Sequence, residues 1–163
     1  MFCEKCGNSL IPKFLEFEGM VPFCTKCNDY RFLSFNSAIS VLIFNPDKTK
    51  LLLIKQYNTS FYRLVAGYVN KGESLEHALY REMGEEIGRY PSSVEFNKSA
   101  YFEKSNTLIS NFAVTLTSEE IFPNHEIDSY DWVDVSKARA LVSERKFTLD
   151  LLNNYLNKIA STN

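Results

Sequence analysis

Apolar spacing divides the chain into segments of different period. Residues 38–44, AISVLIF, form an unbroken and largely β-branched run stopped by Asn45-Pro46-Asp47, the pattern of a strand buried on both faces and ended by a turn. Residues 50–57 supply its partner strand, and residues 61–65 a third extended segment that runs into Gly67. The period then lengthens. Leu75, Ala78, Leu79, Met83 and Ile87 recur at helical spacing, with Ser74 positioned as N-cap and Gly88 as the stop. Beyond the helix, residues 94–102 and 107–117 read as a long hairpin with apolar and aromatic residues on alternating positions. Residues 119–128 read as loop and 130–133 as a short strand. Residues 135–142 and 149–159 read as helices, the second amphipathic. Strands flanked by two or three helices, with mixed connections, predict an α/β (α+β) sandwich.

The predicted helix carries an anomaly. With Leu75 at zero and about 100° per residue, Glu82, Glu85 and Glu86 lie near 340°, 280° and 20°, roughly. They therefore continue the apolar stripe, whereas a merely solvated acidic face would oppose it. Like charges three and four residues apart destabilise an isolated helix by roughly a few tenths of a kcal/mol per pair. A hard divalent cation is the natural compensation.

The N-terminal segment has a different character. Cys3 and Cys6 form one Cys-x-x-Cys knuckle and Cys24 and Cys27 a second, and these are the 4 cysteines of the chain. Two close thiolate pairs suit tetrahedral Zn²⁺, and four cysteines leave no open position for catalysis, so the role expected is structural. Disulfides or redox-active pairs are the competing interpretation. A reducing compartment and the lack of a βαβ context around either pair favour zinc. Between the knuckles, residues 10–18 and 20–23 read as a short hairpin around Gly19. So small a module has little core, and metal binding is expected to supply most of its folding energy. Residues 1–33 are thus expected to form a zinc ribbon, and residues 34–163 the larger domain.

Composition narrows the field without choosing a function. At 163 residues, 45% of them hydrophobic and 14% aromatic, the chain can bury a sizeable core. A net charge of −2 offers no basic field for general nucleic-acid binding. No apolar run has the length of a membrane span, and the opening residues lack the regions of a secretory signal, so a cytoplasmic protein with no membrane partner is expected.

Residues 67–89 read G-x5-E-x7-R-E-U-x-E-E-x-G, where U is bulky and apolar. Gly67, Glu73, Arg81, Glu82, Met83, Glu85, Glu86 and Gly88 occupy those positions. This resembles the Nudix box, the signature of hydrolases that cleave nucleoside diphosphates linked to another moiety. Arg89 is the one departure, standing where the family has an apolar residue. The resemblance implies a Nudix α/β/α sandwich with a mixed sheet, using Mg²⁺ or Mn²⁺. It implies Glu82, Glu85 and Glu86 as metal ligands with the backbone carbonyl near Gly67, and Glu82 as a candidate to activate water. Glu73 and Arg81 are expected to pair and hold the loop against the helix.

A four-cysteine ribbon ahead of such a domain is similar to the NADH pyrophosphatase-like branch. Glu126, ahead of the Trp132 segment, matches a glutamate there that reaches the metal site from a loop. Members acting on NAD carry S-Q-P-W-P-F-P-x-S shortly after the box; this chain has Ser99 to Thr107, SAYFEKSNT, without the prolines. NADH specificity is therefore not implied, although Tyr101 and Phe102 are candidates to stack on a base. NADH, ADP-ribose, a dinucleoside polyphosphate, a capped RNA end or a damaged nucleoside triphosphate all suit the chemistry. A homodimer is expected from the resemblance alone. The alternative function is a nucleotide-sensing or nucleic-acid-binding regulator, against which the intact carboxylate set argues. Neither His77 nor His125 is assigned a role.

Overall fold

The computed structural model describes residues 1–161, which fall into two compact units, Met1–Phe35 and the chain from Asn36 onward. The first unit is a three-stranded antiparallel sheet of β1 (Ile11–Leu15), β2 (Gly19–Cys24) and β3 (Asp29–Tyr30) in that order. The expected hairpin forms, but its turn is residues 16–18, with Phe17 at φ +68°, while Gly19 opens β2 opposite Leu15. Buried apolar side chains are few, among them Val21 and Phe23, the latter edge-on to Tyr30 with centroids 5.0 Å apart.

In the second unit β4 (Asn36–Phe44) is the central strand. It pairs in parallel with β8 (Thr107–Thr115), which pairs antiparallel with β7 (Ser93–Phe102). On its other side β4 is shared. Ala38 to Val41 pair antiparallel with β6 (Val65–Tyr68), whereas Phe44 pairs with Leu51 of β5 (Lys50–Gln56). Beyond that point β5 pairs antiparallel with β9 (Ile127–Asp134). The third extended segment first pairs at Arg63, which exchanges two backbone hydrogen bonds with Ile54 of β5, and Gly67 lies inside β6.

Helix α1 (Leu75–Ile87) covers one face of this mixed sheet, and α2 (Val135–Leu141) and α3 (Lys146–Ala160) cover the other. Strand alternation explains the two cores. Ile39, Val41 and Ile43 of β4 pack with Ala78, Leu79, Met83 and Ile87 of α1. Leu42 and Phe44 pack with Leu152 and Tyr155 of α3, the Phe44 and Tyr155 rings being 5.3 Å apart. The α/β/α sandwich is therefore the one expected.

Strand β7 departs from simple alternation. Its register shifts between Phe96 and Lys98, leaving Asn97 unpaired in the ladder. The buried Asn97 amide donates to Asn111 Oδ1 (2.8 Å) and to the Leu151 carbonyl (2.9 Å), and Asn154 donates to its oxygen (2.8 Å). The extra residue moves even-numbered side chains across the sheet. Phe96 packs on Phe112 in the α1 layer, but Lys98 pairs with Asp150 and Phe102 packs edge-on to Phe147, both of α3.

Candidate functional site

The start and end of α1 follow from its caps. Ser74 Oγ accepts from the His77 amide at 3.2 Å, and Gly88 ends the helix in the left-handed region. Within it, the three candidate carboxylates do not share one environment. Glu86 is buried, the Glu82 side chain is only 12% exposed, and the Glu85 side chain is 58% exposed. Glu86 thus does continue the apolar stripe, between Met83 and Ile87, while Glu85 stands at its solvent edge.

Gly67 brings Glu82 against the sheet. A β-carbon built there would lie 1.8 Å from Glu82 Oε1 and 1.9 Å from its carboxyl carbon. The carboxylate occupies the space that any other residue would fill. Glu86 is reached from β5, where the Gln56 side-chain amide donates to its Oε2 at 3.0 Å. Burial raises the Glu86 carboxyl to a pKa of about 8, with the charges of Glu82 and Glu126 adding to it and the Gln56 bond opposing. Glu126 itself is exposed, and its amide donates to Asn124 Oδ1 at 2.9 Å. Its loop is strapped to the end of α1. The Phe122 amide donates to the Ile87 carbonyl (2.8 Å) and the Asn124 amide to that of Glu86 (2.9 Å). Arg89, the departure from the motif, strengthens this strap by donating to the Glu120 carbonyl at 2.7 Å and stacking 4.6 Å above Phe122.

Glu73 and Arg81 do pair. Arg81 Nε and Nη2 donate to the two Glu73 oxygens at 2.8 and 3.0 Å, and Nη2 also donates to the Tyr68 carbonyl at 2.9 Å. The remaining nitrogen donates to Glu82 Oε1 (2.6 Å) and Glu85 Oε2 (3.2 Å). One guanidinium thus joins the loop before α1, the edge of β6 and two carboxylates of the candidate site.

Do these residues fit a divalent cation? The donors are all oxygens, as Mg²⁺ and Mn²⁺ require. A carboxyl held up at a pKa of about 8 by burial first and by its acidic neighbours second gives a cation a charge to neutralise. The α1 carboxylates nevertheless stand further apart than the thiols. Among the described residues, the four cysteines are the group of metal-ligating side chains whose ligand atoms all lie within 4.8 Å of one another.

At that centre Cys3 and Cys24 are buried and all four cysteines are free thiols. Sulfur separations are 3.9 Å for Cys3 and Cys27 and 3.5 Å for Cys6 and Cys24. A tetrahedron with Zn–S bonds of about 2.3 Å has edges of about 3.8 Å. The knuckles turn through left-handed residues, Gly7 (φ +70°) and Asn28 (φ +50°), each directly after its second cysteine. The Cys27 amide donates to Cys24 Sγ, and Arg31 Nε donates to Cys3 Sγ, both at 3.4 Å. Burial pushes the Cys3 thiol up, but the Arg31 bond and the Lys5 and Cys6 amides outweigh it and bring its pKa to about 6. Hydrogen bonding to Cys6 and burial push Cys27 up to about 12. A cation would favour the thiolate form of the raised Cys27, and the four-cysteine donor set fits Zn²⁺.

The two aromatic candidates part company. Phe102 lines a cavity of about 750 Å³ that Gln56 and Ala66 also line. Tyr101, on the opposite side of β7, is half exposed and hydrogen-bonds Asn106. Sequence reasoning missed Gln56, although a glutamine continuing the core-facing series Leu52, Ile54 was a readable signal. It also missed Arg63 and Arg145, which line the same cavity and carry no local sequence signal.

A family model described as the NUDIX domain matches residues 34–152. Among curated proteins, the NAD-capped RNA hydrolase NudC of Pseudomonas aeruginosa (strain LESB58) is 26% identical over 156 residues, covering 95% of this chain and 55% of that protein. The protein of the same name from Photobacterium profundum is 24% identical over 162 residues, covering 99% and 60%. The chain thus spans little more than half the length of these relatives. A C. elegans Ap4A hydrolase binary complex superposes with a TM-score of 0.63 at 17% identity, covering 76% of this chain and 98% of that one, a likeness of fold.

Proposed function

The chain belongs to the Nudix family, and from that premise we propose that it is a metal-dependent pyrophosphohydrolase acting on a nucleoside diphosphate linked to another moiety. The observation that carries this reading is the seating of Glu82 in the space left by Gly67, beside a buried Glu86 held by Gln56. In the reaction a water oxygen adds to one phosphorus and the bridging P–O bond breaks. The products are a mononucleotide and a phosphorylated partner, with a proton released.

Glu82, Glu85 and Glu86, with the backbone carbonyl near Gly67, would hold Mg²⁺ or Mn²⁺. When bound, the ions neutralise the diphosphate and make water a better nucleophile. Glu126 supplies a further carboxylate from its loop, and Glu82 is the residue assigned to accept the proton of the attacking water. Arg81 and Glu73 position this set without entering the chemistry. Cys3, Cys6, Cys24 and Cys27 would hold a structural Zn²⁺, which suits a reducing cytoplasmic setting.

The substrate range in this reading is NADH, ADP-ribose, a dinucleoside polyphosphate or a capped RNA end. The names of the curated relatives favour the NAD-type compounds. The homodimer that the branch resemblance implies is read out by sedimentation.

The test is a hydrolysis panel of these compounds and nucleoside triphosphates, with Mg²⁺ or Mn²⁺, for the native protein and Glu86→Gln. Turnover of at least one compound, lost in the variant, is expected. No turnover of any, or turnover indifferent to the substitution, overturns the reading.

A further inference from the structure

Gln56 is the last residue of β5 and is buried, a polar end to a strand whose Leu52 and Ile54 pack in the α1 core. A buried carboxamide is costly unless it is hydrogen-bonded, and this one donates to Glu86 Oε2 at 3.0 Å. The bond fixes one oxygen of that carboxylate and with it the direction of the other.

The backbone directly after Gln56 is strained. Tyr57 and Asn58 both lie at positive φ, +60° and +52°, and across them the Thr59 amide donates to the Gln56 carbonyl at 3.2 Å. Two successive positive φ values under such a bond are the pattern of a type I′ turn, whose central positions favour glycine and asparagine. Asn58 conforms; Tyr57 does not. A residue keeps so unfavourable a conformation only where its surroundings impose it, and such places cluster at functional sites. Two side chains impose it here. Thr59 Oγ1 donates to the Gln56 carbonyl at 2.8 Å, and Asp128 Oδ2 accepts from the Asn58 amide at 2.7 Å.

Asp128 is placed for that bond by a bulge in β9. Lys55 pairs with Ser129 and Gln56 with Ile127, so Asp128 is passed over in the ladder. The extra residue also lets Ile127 join the α1 core. Two residues earlier stands Glu126, on the loop whose Asn124 amide donates to the Glu86 carbonyl. One continuous path of bonds therefore runs from the Glu86 carboxylate through Gln56 and the turn to Asp128.

We propose that Gln56 and Asp128 are positioning residues for the carboxylate site. Gln56 sets the orientation of Glu86 through its side chain. Asp128 sets that of Gln56 through the backbone, by pinning the turn behind it. The inference rests on the hydrolase reading only in assigning Glu86 to the cation.

Mn²⁺ binding is measured by calorimetry on the zinc-loaded chain without substrate, and thermal melts check that each variant is folded. Gln56→Leu removes the donor and should weaken Mn²⁺ about tenfold or more, the scale of a lost partner to a metal ligand. Gln56→Met, which also lacks a donor but is more adaptable in shape, should do the same. Asp128 is exposed, so its variants should fold. Asp128→Ala should weaken Mn²⁺ in the same direction, whereas Asp128→Asn keeps an oxygen for the Asn58 amide and should recover most of the loss. In turnover, both Gln56 variants and Asp128→Ala should lower kcat with KM little changed.

Mn²⁺ binding that is absent from the native chain, or that none of these substitutions changes, overturns the proposal. So does an Asp128→Asn variant as weak as Asp128→Ala, which would make the charge of Asp128 the cause in place of the turn. The two readings fail separately. Mn²⁺ affinity that depends on Gln56 and Asp128 without turnover of any compound keeps the positioning pair and removes the hydrolase. Turnover that depends on Glu86 but is indifferent to Gln56 and Asp128 does the reverse.

Discussion

Gly67 and Glu82 occupy what is sterically one position: a β-carbon on the first would lie 1.8 Å from a carboxylate oxygen of the second. The reason for glycine here is close approach between strand β6 and helix α1, since Gly67 is not among the glycines with positive φ. Gly67→Ala should expel Glu82 from its seat while leaving both cores intact. Turnover is expected to fall by about 10²-fold or more, the scale of a 1 Å misplacement. Mn²⁺ affinity should fall with it while the far-ultraviolet circular dichroism is kept. Native activity in this variant would refute the role given to the pair.

Arg81 and Glu73 make a testable acid-sensitive brace. The Arg81 bonds, followed by the Asn70 amide, hold the Glu73 carboxyl down at about 2 from its ordinary 4.5. A depressed pKa stabilises the fold above the unfolded value and is lost as pH falls from about 4.5 towards 2. Glu73→Gln should therefore lower Tm at pH 7 and flatten the decline of Tm across that window. An unchanged acid limb would show that the brace contributes no stability.

Glu86 behaves in the opposite sense. Its carboxyl is raised from 4.5 to about 8 by burial and by Glu82 and Glu126. The metal-free protein should thus have its full contribution below pH 4.5 and lose it progressively as pH rises to about 8. Glu86→Gln should raise Tm at pH 8 in metal-free buffer, and Mg²⁺ should raise the Tm of the native protein but not of the variant. The measurement is a pair of thermal melts with and without metal. A variant that is less stable at pH 8 would contradict the assignment.

The N-terminal unit should depend on zinc. Reduced protein is expected to carry one zinc per chain, released by a strong chelator with loss of the β1–β2–β3 sheet, because its own apolar core is too small. Cys24→Ser should do the same without chelator, leaving the melting of the second unit in place. Metal analysis well under one zinc per chain would refute the centre.

Phe102 and Tyr101 should differ in kinetics as they differ in placement. Phe102→Ala should raise KM about tenfold for any substrate turned over, whereas Tyr101→Ala should change it little, since only Phe102 lines the cavity. Equal effects would mean that the base lies outside it.

Much of this site was legible in the chain because its parts are close in sequence. Residues three and four apart on one helix must share a face, so Glu82, Glu85 and Glu86 were readable together, as were the caps Ser74 and Gly88. Two Cys-x-x-Cys pairs were readable for a similar reason, since each knuckle is a local turn with two sulfurs. The partition of the three glutamates was less legible. Helical angle places Glu85 near the stripe, but only the packed sheet shows that Glu86 is buried and Glu85 reaches solvent.

What the sequence by itself determined, then, is local: the helix and its carboxylates, the two thiol knuckles, the alternation of β4 and the family they mark. What only the tertiary structure decided is which distant side chains meet. A single unpaired residue, Asn97, reverses the facing of β7 and carries Phe102 to the α3 layer, a step that period-two counting misses. The division of β4 between β5 and β6 opens the cavity into which Arg63 and Arg145, more than eighty residues apart, both project. Backbone periodicity is written in nearest neighbours, but register and strand divergence are settled by packing across the whole sheet. The carboxylate cluster proposed for the cation was therefore readable from the chain, and the cavity beside it required the fold.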